Sequence, residues 1–442
     1  MALDAATIWE IRANGDATNG GGFVPGGAGT DYSQQDTAEL ALTDLTTAGA
    51  AATTITSATG GFTAAMEDNL IYIASGTNFD VGFYQIVTYT DANNVILDRS
   101  PTSGGAGSGG NGKVGGAQIF ADEVFEAWAD GNTAYVANDG THTLVADVAI
   151  SNFGSQGAAM TVIGYNSTRG DEPTSTDRPL VAAAANQLEF GSFYRVRNLR
   201  ATTTHTSGMD FGDTCVLSNC NVQNTSGSAN RDCVEVGSSG RIIGCELHGS
   251  VGTNLARGAD LRATDGRVIY SFFHDLNIGC QAGGDNHVVA NSVFRETNTG
   301  LVLNAGGDEC DTFGNTFYDG NAACNVGTEA DNLFVGNIVH TQLSFGLSGG
   351  VGYHILDYNV WHNNGTDVIN SEKGPNAITA DPLLTDPAND DYTLGFGSPA
   401  ANIFLNTTVG LPVDLKVNAG AAQNDVDGGG VIGGPNKRAG MQ

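Results

Sequence analysis

Asp210 and Asp232 stand 22 residues apart, and Glu235 and Asp260 follow them. If the backbone returned on itself every twenty-odd residues, these four acids would lie near one another on neighbouring turns of chain. Carboxyls about 5–9 Å apart form the working pair of a glycosidase: one protonates the leaving oxygen, and the other attacks or activates water. In a lyase the same acids would gather calcium, and a basic residue would take the sugar's α-proton. Arg231, Arg241, Arg257 and Arg262 are the basic candidates, and no spacing singles one out. Chance pairing in a chain rich in Gly and Asp explains the acids equally well. They are therefore candidates, and no catalytic residue is assigned.

Histidines form a second set. His248 and His274 are 26 apart, and His340 and His362 are 22 apart. Imidazoles about 5 Å apart on adjacent strands could ligate a transition metal, alone or as a ring on a threefold axis. The favoured alternative is four polar aromatic residues packed in an interface with no ion, and no cofactor is expected. Asp213, Asp265, Asp285, Glu309 and Asp331 recur just before strands, where Asp caps the amides of tight turns. Arg169-Gly-Asp171 reads as a turn as well, and no glycine cluster leads into a Gly-Lys-Ser/Thr nucleotide motif.

What would position these residues is a repeat. Asn198, Cys220, Cys245, Ser271, Asn291, Asn315, Asn337 and Asn359 follow one another at steps of 22, 25, 26, 20, 24, 22 and 22. Apolar residues flank most of them two places away on either side. Side chains in a strand alternate faces, so these columns turn inward together and the amides stack as an inward ladder. A period of this size is that of a solenoid. Val, Ile and Phe dominate the apolar positions and no helical half is present, which favours a right-handed parallel β-helix over a leucine-rich repeat. The odd offsets then face outward, and they line up Leu199, Phe272, Phe294, Tyr318, Ile338 and Val360 with the four histidines. An exposed apolar strip marks a contact surface, and identical subunits of a homotrimer are its expected cover.

The chain is all-β in this reading, with an N-terminal β-rich region over 1–115 that serves for attachment or capping. A parallel β-helix follows over 116–405, then a closing segment and arm over 406–442. Phe120, Val124, Phe125 and Trp128 share one face of a short capping helix that ends near Gly131. Its 63 glycines suit a chain full of tight turns. A net charge of −30 with 18 basic residues argues against nucleic acid. No apolar run approaches the ~20 residues of a membrane span. The first residues lack the basic and apolar regions of a secretion signal, and the odd count of 7 Cys suits buried free thiols made in a host cytoplasm.

Several stretches carry a family likeness. Gly131-Asn-Thr-Ala-Tyr-Val, Gly164-Tyr-Asn-Ser-Thr-Arg-Gly-Asp, Arg178-Pro-Leu-Val and Asp381-Pro-Leu-Leu resemble the phage-associated right-handed β-helix proteins of the pectate-lyase-like superfold. The opening, Thr7-Ile-Trp-Glu-Ile-Arg through Gly20-Gly-Gly-Phe and Gly29-Thr-Asp-Tyr-Ser-Gln-Gln-Asp, is similar to the start of virion proteins in that group. The resemblance implies a structural, non-enzymatic virion protein: a trimeric spike or decoration on the particle surface, on capsid or tail. Its partners would be copies of itself, the major capsid or a tail or connector protein, and host surface glycan. The alternative it leaves open is a tailspike-type polysaccharide depolymerase, either a glycoside hydrolase or a lyase.

Overall fold

The computed structural model describes residues 3–401, save 151, 152, 230, 251, 253, 254, 304–308, 328–330 and 351–353. Beyond 401 it describes the strand pairs Phe404–Leu405 with Lys416–Val417 and Gln423–Asn424 with Val431–Ile432. Most of the expected 406–442 segment thus lies outside the described residues. The fold is all-β, a parallel β-solenoid, and the chain divides into two compact units, Met1–Arg200 and Ala201–Gln442.

In the first unit Ile8–Ile11 pairs in parallel with Thr133–Ala137, which pairs with Met160–Tyr165 and that in turn with Tyr194–Arg197. The chain therefore enters the solenoid at once, and residues 1–115 are not one separate β-region. Between those strands is inserted a closed six-stranded barrel: Leu40–Thr47, Thr54–Ser57, Leu70–Thr77, Gly82–Asp91, Asn94–Leu97 and Gly107–Val114. The last of these is Gly-Ser-Gly-Gly-Asn-Gly-Lys-Val, a stretch that has no apolar pattern to announce a strand. Glycine is needed there because a Cβ at Gly110 would stand 2.7 Å from the Phe79 ring. Leaving the side chain out lets Phe79 reach the barrel core beside Leu45 and Ile73.

The helix Asp122–Glu126 is short, and Val124, Phe125 and Trp128 are buried. Trp128 stacks between Trp9 and Tyr194, with ring centroids 6.4 and 6.3 Å away. Arg169 of the Arg-Gly-Asp tripeptide is tied down by Glu10 and Asp31, at 2.7 Å each. Asp171 accepts the turn amides of Asn166, Ser167 and Thr168.

The second unit winds through three parallel sheets. One runs from Val216–Ser218 to His354–Asp357, the next from Asn221–Asn224 to Val360–His362, and the third from Ser207–Phe211 to Val368–Ile369. Between the first two sheets each coil turns a corner. One residue there takes the left-handed conformation: Asn219, Gly244, Tyr270, Asn291, Gly314, Gly336 or Tyr358, with φ between 50° and 65°. The ladder residue comes next, so the ladder runs through Cys220, Cys245, Ser271, Ser292, Asn315, Asn337 and Asn359. Each of Ser271, Ser292, Asn315, Asn337 and Asn359 accepts the backbone N–H of the residue one coil before it, at 2.9–3.3 Å.

Asn291 is therefore not a rung. It holds the corner, for which Asn and Gly are the favoured residues. Taking Ser292 instead turns the steps of 20 and 24 into 21 and 23. In the first unit Asn198 also has φ 61°, and its side-chain amide donates to Glu172.

The shift of one residue exchanges faces, as it must in a strand. Phe294 points inward and stacks between Phe273 and Phe317, with centroids 4.7 and 4.8 Å away and planes within 9° of parallel. Leu199 is likewise buried. Neither belongs to an outward strip. The rest of that strip is covered by this same chain. Phe272 and Val293 pack on Tyr392, with Tyr318 alongside, and Ile338 and Val360 pack on Leu394 and Ala400. The cover is the hairpin Leu384–Asp386 with Asp391–Leu394 and the residues that follow it. Phe272, Ile338 and Val360 are at most 3% exposed and are not free to meet another subunit. The physical reason is the hydrophobic effect itself: an apolar strip is buried by the nearest complementary apolar segment, here a tail already tethered to it.

Candidate active site: a column of carboxylates and guanidinia

The third sheet brings the acid candidates together. Asp210 pairs with Glu235, Glu235 with Asp260, and Asp260 with Gln281, all in register on four successive strands. Their neighbours Met209, Val234, Ala259 and Cys280 are buried apolar residues. Alternation therefore sends the polar column to the opposite face. Three residues earlier in the same strands, Asp232 stands in register with Arg257.

Two guanidinia hold the acids. Arg257 takes both oxygens of Asp232 through Nε and Nη2, the latter at 2.8 Å, and also reaches Asp260 Oδ2 at 3.2 Å and Gln281 Oε1 at 2.8 Å. Arg262, nearly half exposed, donates to Asp210 Oδ1 at 2.6 Å and pairs with Glu235. Carboxylate oxygens of Asp232, Glu235 and Asp260 lie within 4.8 Å of one another. Four carboxyls face two guanidinia, so full ionisation would leave uncompensated negative charge in a buried place. Burial, together with the charges of Asp232 and Asp210, pushes Asp260 up to about 6 against the pull of Arg257. Burial also raises Asp232, though Arg257 opposes the shift. Burial works against the Arg257 charge, but its bonds to Asp232 outweigh that and raise its pKa.

Oxygen ligands of this kind suit a hard cation such as calcium, but both guanidinia already occupy them, and a cation would have to displace one. Of the other basic candidates, Arg231 donates to Thr206, and Arg241 is an exposed residue of a different sheet. Neither joins the column. Gln281 was not foreseen. Its signal is the 21-residue step from Asp260, legible once the period is known. The turn acids stay in turns: Asp265, Glu309 and Asp331 have φ near 60°, and Asp213 and Asp285 precede Thr214 and Asn286, which do too.

The histidines form two separate groups. His248 and His274 stack with centroids 4.7 Å apart and planes 8° from parallel. All four of their ring nitrogens have protein partners. His274 meets Asp275 at 2.8 Å and Glu246 at 3.2 Å, and His248 meets the Gly249 carbonyl at 3.1 Å and Asn221 at 3.4 Å. Burial opposes a charge on His274, but the two carboxylates prevail and raise it. Burial and that neighbouring charge lower His248. This pair is a charge-stabilised stack in which every ring nitrogen already meets a protein oxygen. His340 and His362 differ, as described below.

No family model matches this sequence, and no curated protein sequence matches it. Solved structures do. A pectate lyase covers 69% of this chain and 91% of its own at 14% identity, with a TM-score of 0.46. A PL6 family polysaccharide lyase from Pseudopedobacter saltans covers 62% and 87% at 9% identity and TM-score 0.32. The catalytic domain of a GH87 α-1,3-glucanase covers 78% and 90% at 9% identity and TM-score 0.31. Likeness at these identities concerns the fold alone.

One expectation is corrected at this point. The chain was expected not to be an enzyme, yet the structures named above are polysaccharide lyases and a glycoside hydrolase.

Proposed function

We propose that the chain is a polysaccharide depolymerase that works by hydrolysis at the column Asp210–Glu235–Asp260. The observation that supports this most is the contrast between neighbouring carboxyls. Asp260 is held up to about 6, while Glu235 is paired with the Arg262 guanidinium. An acid raised by burial beside a carboxyl that is ion-paired supplies a proton donor and a nucleophile together. Oxygens within 4.8 Å are nearer the ~5–5.5 Å of retaining glycosidases than the ~6.5–9.5 Å of inverting ones.

In this reading Asp260 protonates the leaving glycosidic oxygen and Glu235 attacks the anomeric carbon. Water then hydrolyses the glycosyl ester, with Asp260 taking its proton. Arg257 and Asp232 position Asp260, and Arg262 holds Glu235 through its ion pair. A lyase would need a base able to lose its proton near neutral pH. The raised pKa of Arg257 disfavours it for that part.

The test is incubation with purified bacterial surface polysaccharides, reading new reducing ends and the chemistry of the new chain end. Hydrolysis gives saturated ends, and Asp260→Asn and Glu235→Gln abolish them while the fold is kept. Unsaturated uronate ends would replace hydrolysis by elimination. Cleavage unchanged in both variants would overturn the site. The resemblance of the opening residues to virion proteins supports a further part of the proposal: a trimeric enzyme carried on a phage particle and acting on its host's glycan. Immunogold labelling of purified particles tests that part.

A further inference from the structure

In the second unit His340 and His362 occupy paired positions on the adjacent strands Ile338–His340 and Val360–His362. Unlike the stacked pair, these rings are set edge to face, 73° apart. Nδ1 of His362 lies 3.3 Å from Nε2 of His340. A carboxylate oxygen of Asp381, in the segment leading into the covering hairpin, lies within 4.8 Å of a ring nitrogen of each histidine. Oδ1 of Asp381 accepts the Leu383 N–H at 2.8 Å, which leaves Oδ2 for another partner.

We infer that His340, His362 and Asp381 form a binding site for a divalent transition metal of the zinc type. Two imidazole nitrogens on one tetrahedral ion, each ~2.0–2.1 Å from it, stand about 3.3–3.4 Å apart, which is the separation found here. Two nitrogens at that distance without an ion can share only one proton. The other ring nitrogen of His340, Nδ1, contacts the Thr341 hydroxyl, the kind of outer partner that fixes a ligating ring. Three protein donors leave a fourth position open. The site borders a cavity of about 560 Å³ lined by Tyr318, His340, Asp381, Leu384, Pro387 and Phe396, which gives a water or ligand access to that position.

The donor set also says what the ion does. Asp381 belongs to the tail and the histidines to the solenoid sheet, so the metal clips the covering segment to the strip it covers. This is separate from the carboxylate column and does not depend on its activity.

The experiment is calorimetric titration of chelator-treated full-length protein with Zn²⁺ alone, beside a Co²⁺ absorption spectrum. One site per chain is expected, with tetrahedral Co²⁺ bands and no thiolate charge-transfer band. His362→Asn and Asp381→Asn should each weaken binding at least tenfold, and His274→Asn should leave it unchanged. Zn²⁺ should slow proteolytic cutting of the 380–400 segment in the parent protein and not in Asp381→Asn. Circular dichroism confirms that each variant is folded, and the Co²⁺ spectrum needs no variant at all. Absence of binding by the parent protein, an octahedral Co²⁺ spectrum, or Zn²⁺ affinity unchanged in folded His362→Asn overturns the proposal.

Discussion

Asn315 gives both its backbone N–H and its side-chain amide to one atom, Oδ1 of Asn337, at 2.9 and 3.1 Å. Asn337 does the same to Asn359, at 2.9 and 3.2 Å, and spends its second amide hydrogen on the Thr312 carbonyl at 3.0 Å. Each rung satisfies the one before it. Buried amides in the core are tolerable only because this chain of donation is complete.

Asn337→Ala breaks the chain in the middle. It strands the backbone N–H of Asn315 and one of its two amide hydrogens, the other staying on the Val289 carbonyl, and buried groups left unsatisfied cost about 1–3 kcal/mol each. A loss of about 2–4 kcal/mol in urea unfolding is expected. Asn337→Ser should cost less, since Ser292 already serves as a rung, accepting the Ser271 N–H at 3.1 Å. Equal losses for Ala and Ser would show that the slot is read by volume alone.

Stability should depend on pH in two opposite ways. Asp260, raised to about 6, binds a proton in the folded state that the unfolded chain has already released. Stability therefore falls as pH rises from about 4 to about 6, by roughly 2–3 kcal/mol, and Asp260→Asn removes that slope. Burial works against the charge of Glu246, but bonds from His274 and Asn221 outweigh it and lower its pKa to about 2. Its contribution is full above the usual carboxylate range and is lost as pH falls towards about 2. Melting temperatures of the parent protein and of Asp260→Asn and Glu246→Gln, recorded across pH, separate the two.

Activity, if Asp260 is the acid, declines above pH about 6 as it loses its proton. Removing the carboxyl should reduce kcat by about 10²–10⁴. Arg262→Met removes the partner that Glu235 and Asp210 share, so kcat should fall while the folded state is kept. Unchanged kcat in a folded Arg262→Met would mean that Arg262 takes no part in positioning Glu235.

The seven cysteines are buried. Burial pushes the Cys233 and Cys310 thiols up to about 12. Thiolate is the reactive form, so a water-soluble thiol reagent should label none of them in the native protein. Labelling during slow denaturation then reports which coils open first, because Cys215, Cys245, Cys280 and Cys324 lie on different windings.

The period and the three-column pattern were enough to reach the parallel solenoid from sequence, since every coil must repeat one solution to burial. Two things defeated finer reading. Asn serves both as a rung and as a left-handed corner, so Asn198 and Asn291 looked like ladder residues, and Phe294 was turned outward with them. The outward strip was visible, but its cover was not. Tyr392 and Leu394 sit in a short hairpin more than thirty residues past the last ladder rung, and nothing in their local pattern says where they dock. The barrel strand Gly107–Val114 was hidden for the opposite reason: its role is to omit side chains. At the candidate site, the acids could be named from spacing and both arginines stood among four basic candidates, but which arginine joins them, and which acid it holds, is a matter of register that only coordinates reveal.

The covering hairpin bears on how the protein comes to be made. A ribosome delivers the strip of Phe272, Val293, Ile338 and Val360 well before it delivers Tyr392 and Leu394. For that interval the nascent winding carries a bare greasy seam that invites sticking to other chains. Maturation is thus timed by the tail: translation halted before residue 384 should leave a wound but adhesive product, and supplying the missing piece as a peptide should quench it.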